Sequence, residues 1–179
     1  PLHAKDEDIA KYKGRFDAGW DKLREERVER MVERGVIDEK WRLTPRDPDV
    51  PAWEDAENKD WERRRMEIYA AQIDCMDQGV GRVIKALEDS GELDNTLIMF
   101  LADNGACAEA LGPFNERHGQ ATLPNGEIMN SGNSPDITPG GPATYQSYGV
   151  GWANLSNTPF REYKHWVHEG GVATPFIVH

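Results

Sequence analysis

The stretch Thr96-Leu97-Ile98-Met99-Phe100-Leu101-Ala102-Asp103-Asn104-Gly105 decides the fold that the sequence predicts. Its first part is apolar and branched enough to be a buried strand, which Gly105 ends. Ligands of open α/β sheets bind at the carboxyl ends of strands, which is where Asp103 and Asn104 lie. Their oxygens suit calcium or magnesium. The same tripeptide is also an ordinary turn, so this stretch alone leaves a metal site and a plain turn open.

A second segment, 161–169, combines cationic side chains with a glycine turn. A short apolar run, Phe176-Ile177-Val178, follows it and predicts another strand. Cationic donors beside a glycine turn are what an oxyanion such as sulfate or phosphate needs. The charged residues and the turn are Arg161, Lys164, His165, His168 and Glu169, followed by Gly170-Gly171.

Apolar residues at helical spacing predict a long helix from Asp60 to about Ser90, which Gly91 ends. A charged stretch from Asp6 to about Arg34 also predicts helix, with a break near Gly14 and Gly19. Three prolines in residues 43–51 predict an extended loop between the two helical regions.

Charge and hydropathy exclude some function classes. The chain of 179 residues has a formal net charge of -11, which argues against binding to nucleic acid or an anionic membrane. The sequence contains no run of 18 apolar residues, so it predicts no membrane span. Two cysteines, Cys75 and Cys107, do not define a disulfide framework; we favour free thiols, and a pair stays open.

Several ordered and correctly spaced segments resemble the sulfatases, in particular the arylsulfatase-like members of the alkaline-phosphatase superfamily. The resemblance implies an α/β fold, with this chain forming a portion of an alkaline-phosphatase-like sandwich that has a mixed central sheet flanked by helices. Residues 1–179 would be an internal part of the catalytic domain, and residues 108–143, which match poorly, a variable active-site loop region. The matching segments are 69–77, 81–83, 94–105, 152–161 and 164–171.

The resemblance also implies roles for individual residues. Asp103 and Asn104 would be ligands of a calcium ion, and Lys164 would be catalytic through its contact with the sulfate. His165 and His168 are candidate substrate-binding residues, although a structural role is equally compatible with the sequence. His118, in the variable region, stays open between a solvated side chain and a substrate contact. Trp152, Tyr163 and Trp166 are expected in the core.

The nucleophile expected of the family is missing from this sequence. Sulfatases convert a Cys or Ser in a C/S-x-P/A-x-R signature to formylglycine, and neither Cys75, Cys107 nor any serine lies in such a signature. We therefore expect the nucleophile to lie upstream, in the remainder of the same polypeptide, and this segment alone to be inactive. The family also leads us to expect a periplasmic or secreted protein.

The expected activity is hydrolysis of a sulfate monoester, of a small molecule or a carbohydrate, by formylglycine and calcium. Two alternatives remain open. One is a phosphonate or phosphodiester hydrolase of the same superfamily, and the other is a non-catalytic anion-binding homologue.

Overall fold

The computed structural model describes residues 2–113 and 121–179, which form helices and short strands. The helices are α1 (Asp6–Ala10), α2 (Gly19–Glu33), α3 (Lys59–Ser90), α4 (Gly149–Ser156) and α5 (Glu169–Val172). The strands are β1 (Met99–Leu101), β2 (Asn130–Ser131), β3 (Thr144–Tyr145) and β4 (Phe176–Val178). Single 3₁₀ turns lie at Trp53–Asp55 and Leu93–Asn95. This mixture agrees with the α/β class, and the mixed central sheet of a sandwich stays a prediction.

Helix α3 confirms the long helix that the apolar spacing predicts. Gly91 ends it in the left-handed conformation, with φ of 73°, and the N–H of Glu92 donates to the carbonyl of Leu87. Glycine adopts this conformation without the steric cost of a side chain. The break expected within the first helical region is also observed, because residues 11–18 form turns between α1 and α2.

The core is built around an aromatic cluster that joins α2, α3 and α4. Trp152 of α4 is fully buried, and its ring lies edge-on to Phe16 and Trp20, with centroids 5.7 and 5.3 Å away. Trp53 packs against both tryptophans. The indole N–H of Trp152 donates to the carbonyl of Glu62 at 2.9 Å, so its one polar atom is satisfied within the core.

The expectation that Trp152 and Tyr163 are core residues is confirmed, because both side chains are buried. The same expectation was wrong for Trp166, which is 54% exposed. Trp166 lies in the turn that follows Lys164, outside the helices and strands, and its side chain stays exposed there.

Strands β1 and β4 pair antiparallel, with Leu101 opposite Phe176 and Met99 opposite Val178. Ile98 and His179 extend the pairing by exchanging two hydrogen bonds of 2.9 Å. Antiparallel pairing brings the end of β1 and the beginning of β4 to the same edge of this small sheet. The residues that follow Leu101 therefore lie beside those that precede Phe176.

One face of the β1–β4 sheet lies against the second half of α3 and is only partly covered. Phe100 and Ile177 line an apolar groove of about 630 Å³ together with Ile73 and Met76 of α3. The expectation of a buried strand in the run 96–102 is wrong in burial and in length, because β1 spans only Met99–Leu101 and the residues of β1 and β4 are all exposed by more than a third. The second sheet, β2 with β3, is parallel and only two residues long in each strand.

Within the described ranges, no helix combines the length and the apolar character that crossing a bilayer requires.

Replacing Trp152 with alanine should lower the free energy of unfolding by about 3–5 kcal/mol, because it removes a fully buried indole from the aromatic cluster. Urea denaturation followed by far-UV circular dichroism measures the loss. Trp166→Ala is the matched control and should change stability by about 0.5 kcal/mol or less, since its ring is mostly exposed. Equal losses in both variants would contradict the proposed core.

Candidate functional site

The candidate site lies where the turn after β1 meets the segment before β4. Asp103 is exposed and Asn104 is half-buried, directly after the strand. The main-chain N–H of Lys164 donates to the carbonyl of Ala106 at 3.1 Å, so the predicted lysine lies on the segment next to the predicted metal ligands. Two sequence regions separated by about sixty residues thus form one surface.

Three glycines lie where the turn after β1 and the segment before β4 come close enough for a hydrogen bond between their main chains. The N–H of Gly105 donates to the carbonyl of Gly171 at 3.0 Å. A Cβ atom on Gly105 would lie 1.7 Å from the carbonyl oxygen of Gly170, far inside van der Waals contact. Cβ atoms on Gly170 and Gly171 would lie 2.2 and 2.0 Å from the main-chain oxygens of Arg161 and Trp166. The contact between the two segments therefore requires glycine at position 105, and the turn within the second segment requires glycine at positions 170 and 171.

Asn157 connects both segments through its side-chain amide. Its Oδ1 accepts from the N–H of Ala106 at 2.9 Å, and its Nδ2 donates to the carbonyls of Glu162 and Gly170 at 2.7 and 2.8 Å. Sequence reasoning missed this residue, because an asparagine after a helix is an ordinary turn residue. Its position between Ser156 and the Thr158-Pro159 pair indicates only the end of α4.

Lys164 and His165 share one carboxylate, that of Glu109. Glu109 Oε2 lies 3.2 Å from Lys164 Nζ, and Glu109 Oε1 lies 2.5 Å from His165 Nε2. The contacts with His165 and then Lys164 lower the pKa of the Glu109 carboxyl to about 2. The hydrogen bond that the Lys164 ammonium donates to Glu109 raises the pKa of the lysine, which therefore stays charged well above neutral pH. Glu109 lies in the region expected to be variable, and sequence reasoning did not single it out.

His168 does not join this cluster. Arg161 Nη2 lies 3.3 Å from both ring nitrogens of His168, so these two side chains contact each other and not Glu109. His165 differs in its backbone as well, with a φ of 87° in the left-handed region that non-glycine residues rarely adopt. His118 lies outside the described residues.

Asp103 and Asn104 offer the type of ligand that calcium prefers, but two residues are too few to complete a calcium site. Both offer oxygen donors, and neither side chain is hydrogen-bonded to another residue in the part of the chain that the structure describes. Calcium takes about six to eight oxygen ligands. Within residues 2–113 and 121–179, no group of three or more His, Cys, Asp or Glu side chains could hold a metal ion. Further ligands would have to come from outside the described residues.

A cleft of about 540 Å³ extends from Asn104 towards α2 and α3. Its walls include Arg27, Tyr69 and Asn157. Burial raises the pKa of Tyr69, as expected of an ionisable group in partly apolar surroundings. The side chain of Arg27 is exposed where it lines the cleft, in line with the charges of both signs that its helix carries along most of its length. Cys75 and Cys107 are both free thiols.

Comparison with known proteins gives a match along the whole chain. A family model described as Sulfatase matches residues 1–179. An uncharacterized sulfatase of Schizosaccharomyces pombe is 34% identical over 99% of this chain, and an arylsulfatase of Klebsiella aerogenes is 31% identical over 99%. A steryl-sulfatase of Mus musculus is 47% identical over 28% of this chain and 8% of its own length. The chain spans 32% and 37% of the length of the first two relatives.

Replacing Gly105 with alanine should lower the free energy of unfolding by about 1–3 kcal/mol, because the new methyl group would overlap the carbonyl of Gly170 and force the two segments apart. Urea denaturation measures the effect. Gly112→Ala is the control, since a Cβ at that position meets nothing within 4 Å. An unchanged Gly105→Ala variant would show that the two segments do not touch.

The Glu109 carboxyl should titrate with a midpoint near 2 in ¹³C NMR spectra, against an ordinary value of 4.5. A depressed folded-state pKa means that the interaction stabilises the fold above pH 4.5 and is lost as the pH falls through about 2. His165→Ala should move the midpoint upwards, whereas His168→Ala should leave it in place because that ring contacts Arg161. A wild-type midpoint near 4.5 would rule out the shared carboxylate.

Proposed function

This chain belongs to the sulfatase family, and on that premise we propose that the protein hydrolyses sulfate esters, with this segment contributing metal ligands and a cation that binds the sulfate. The observation that supports the assignment is the contact between the turn carrying Asp103 and Asn104 and the segment carrying Lys164, held together at Gly105 and Gly171. An anion bound to a metal at the first segment would be within reach of donors on the second.

Asp103 and Asn104 are the residues that would hold calcium, through one carboxylate and one amide oxygen. A bound calcium ion would polarise the sulfate oxygens as a Lewis acid. Two oxygen ligands supply too little charge and too few contacts for a complete site, so we propose that the remainder of the polypeptide supplies the rest.

Lys164 is the proposed catalytic residue of this segment. Its ammonium group has three N–H donors, of which one faces Glu109 and another the thiol of Cys107, so one remains for a sulfate oxygen. Negative charge develops on the ester oxygen as the S–O bond breaks, and a fixed positive charge stabilises it. Because Glu109 raises the pKa of Lys164, the lysine would keep its charge over the alkaline range as well.

His165 and His168 are proposed substrate-binding residues with unequal support. His165 lies beside Lys164 and contacts the same carboxylate, so it is placed to donate to the same anion. His168 is held against Arg161, and its contribution would be to keep that guanidinium beside the segment.

The nucleophile is proposed to be a formylglycine made from a Cys or Ser elsewhere in the polypeptide, whose hydrate would supply the hydroxyl that attacks sulfur and displaces the alcohol. The substrate is proposed to be a sulfate ester of a small molecule or carbohydrate, with residues 108–143 contributing to its selection. We expect this segment to contribute to that reaction only when joined to the nucleophile.

In the full-length protein, Lys164→Ala should lower kcat/KM for 4-nitrophenyl sulfate by about 100-fold. This is the usual effect of removing one hydrogen-bond donor to an oxygen on which negative charge develops in the transition state. Lys85→Ala is the matched control and should leave kcat/KM unchanged, because Lys85 is an exposed lysine of α3 paired with Asp89. Phenyl phosphonate and phosphodiester esters are assayed in parallel. Faster hydrolysis of either one than of the sulfate ester, or an active Lys164→Ala variant, would contradict the proposal.

A further inference from the structure

Glu109 bridges two side chains of the segment that contacts the turn carrying the proposed metal ligands. Its two carboxylate oxygens contact different partners, with Oε2 facing Lys164 and Oε1 facing His165. A carboxylate that divides its oxygens in this way fixes the separation of the two side chains, which a contact to either one alone would not do.

The backbone around Glu109 is anchored independently of these contacts. The hydroxyl of Ser147 donates to the carbonyl of Glu109 at 2.7 Å, and Asn133 exchanges two hydrogen bonds with Ser147. The N–H of Asn133 donates in turn to the carbonyl of Leu111 at 2.7 Å. On the other side, Ala106 is held by Asn157. The loop therefore presents the Glu109 carboxylate from a fixed position.

Stability alone does not account for this arrangement. The side chains of Glu109 and His165 are 47% and 66% exposed, and exposed ion pairs contribute little to folding. His165 nevertheless has a backbone φ of 87°, a conformation that is costly for a residue with a Cβ atom and that clusters at functional sites. His165 therefore has a strained backbone at the same position where its side chain contacts Glu109.

We propose that Glu109 is a positioning residue for anion binding, which holds Lys164 and His165 side by side so that both donate to oxygens of one sulfate group. This inference rests on the proposed function. Beyond its contacts with Glu109 and Cys107, Lys164 keeps one N–H donor for the anion, and His165 keeps Nδ1, which donates when the imidazole is protonated. The carboxylate acts through these two side chains and does not itself contact the reacting atoms.

The test compares Glu109→Ala and Glu109→Asp in the full-length protein, with 4-nitrophenyl sulfate as substrate and inorganic sulfate as inhibitor. Glu109→Ala should lower kcat/KM by about tenfold, mostly through KM, and should weaken inhibition by sulfate to a similar extent. Glu109→Asp keeps the charge on a shorter side chain and should recover part of the loss. Glu25→Ala is the matched control, because Glu25 forms an exposed ion pair with Lys22 on α2.

The outcomes separate this inference from the function on which it rests. Wild-type kinetics in Glu109→Ala, together with a strong loss in Lys164→Ala, would overturn the positioning role and leave the sulfatase proposal intact. Tighter inhibition by sulfate in Glu109→Ala would mean that Glu109 competes with the anion, which also overturns it. Equal losses in the Ala and Asp variants with a lowered melting temperature would assign a structural role only. Failure of the sulfatase proposal itself would appear as a wild-type protein that does not hydrolyse 4-nitrophenyl sulfate.

Discussion

The close backbone contact between Gly105 and the Gly170-Gly171 pair is the constraint on which the site depends. It fixes how near the turn after β1 comes to the segment before β4, and every proposed site residue lies on one of these two pieces of chain or on the loop that follows the first. The antiparallel pairing of β1 with β4 brings the pieces to one edge. A side chain at position 105 would push the turn that carries Asp103 and Asn104 away from the carbonyl of Gly170 and so from the segment that carries Lys164.

The aromatic cluster and the site depend on each other through α4. Trp152 anchors the buried side of this helix, and Asn157 follows its last residue. Because α4 is fixed in the core, the amide of Asn157 stays in place to bind Ala106, Glu162 and Gly170 at once. The packed indole rings thus hold in place a surface that carries mostly exposed polar groups. A site of this kind can keep its geometry without being buried.

Sequence reasoning identified the features that depend on local patterns. The bounds of α3, the break between α1 and α2, both strands of the β1–β4 pair and the two segments of the site follow from apolar spacing, glycines and motif order. Glu109 and Asn157 were missed because their importance arises from contacts across the fold. Glu109 meets His165 at a separation of 56 residues through loops without periodicity. Trp166 was misplaced because an aromatic residue carries no sequence signal that distinguishes the core from an exposed turn.

The β1–β4 sheet has a consequence for the behaviour of the protein in solution. Within the described residues each of its strands pairs on one side only, so each leaves a row of main-chain donors and acceptors open. The adjoining side chains, such as Met99 and Phe176, are apolar and more than half exposed. Open strand edges with apolar faces are templates for adding further strands from other molecules. Concentrated preparations of this segment are therefore prone to self-association and aggregation, which dilute conditions and a covering partner would suppress.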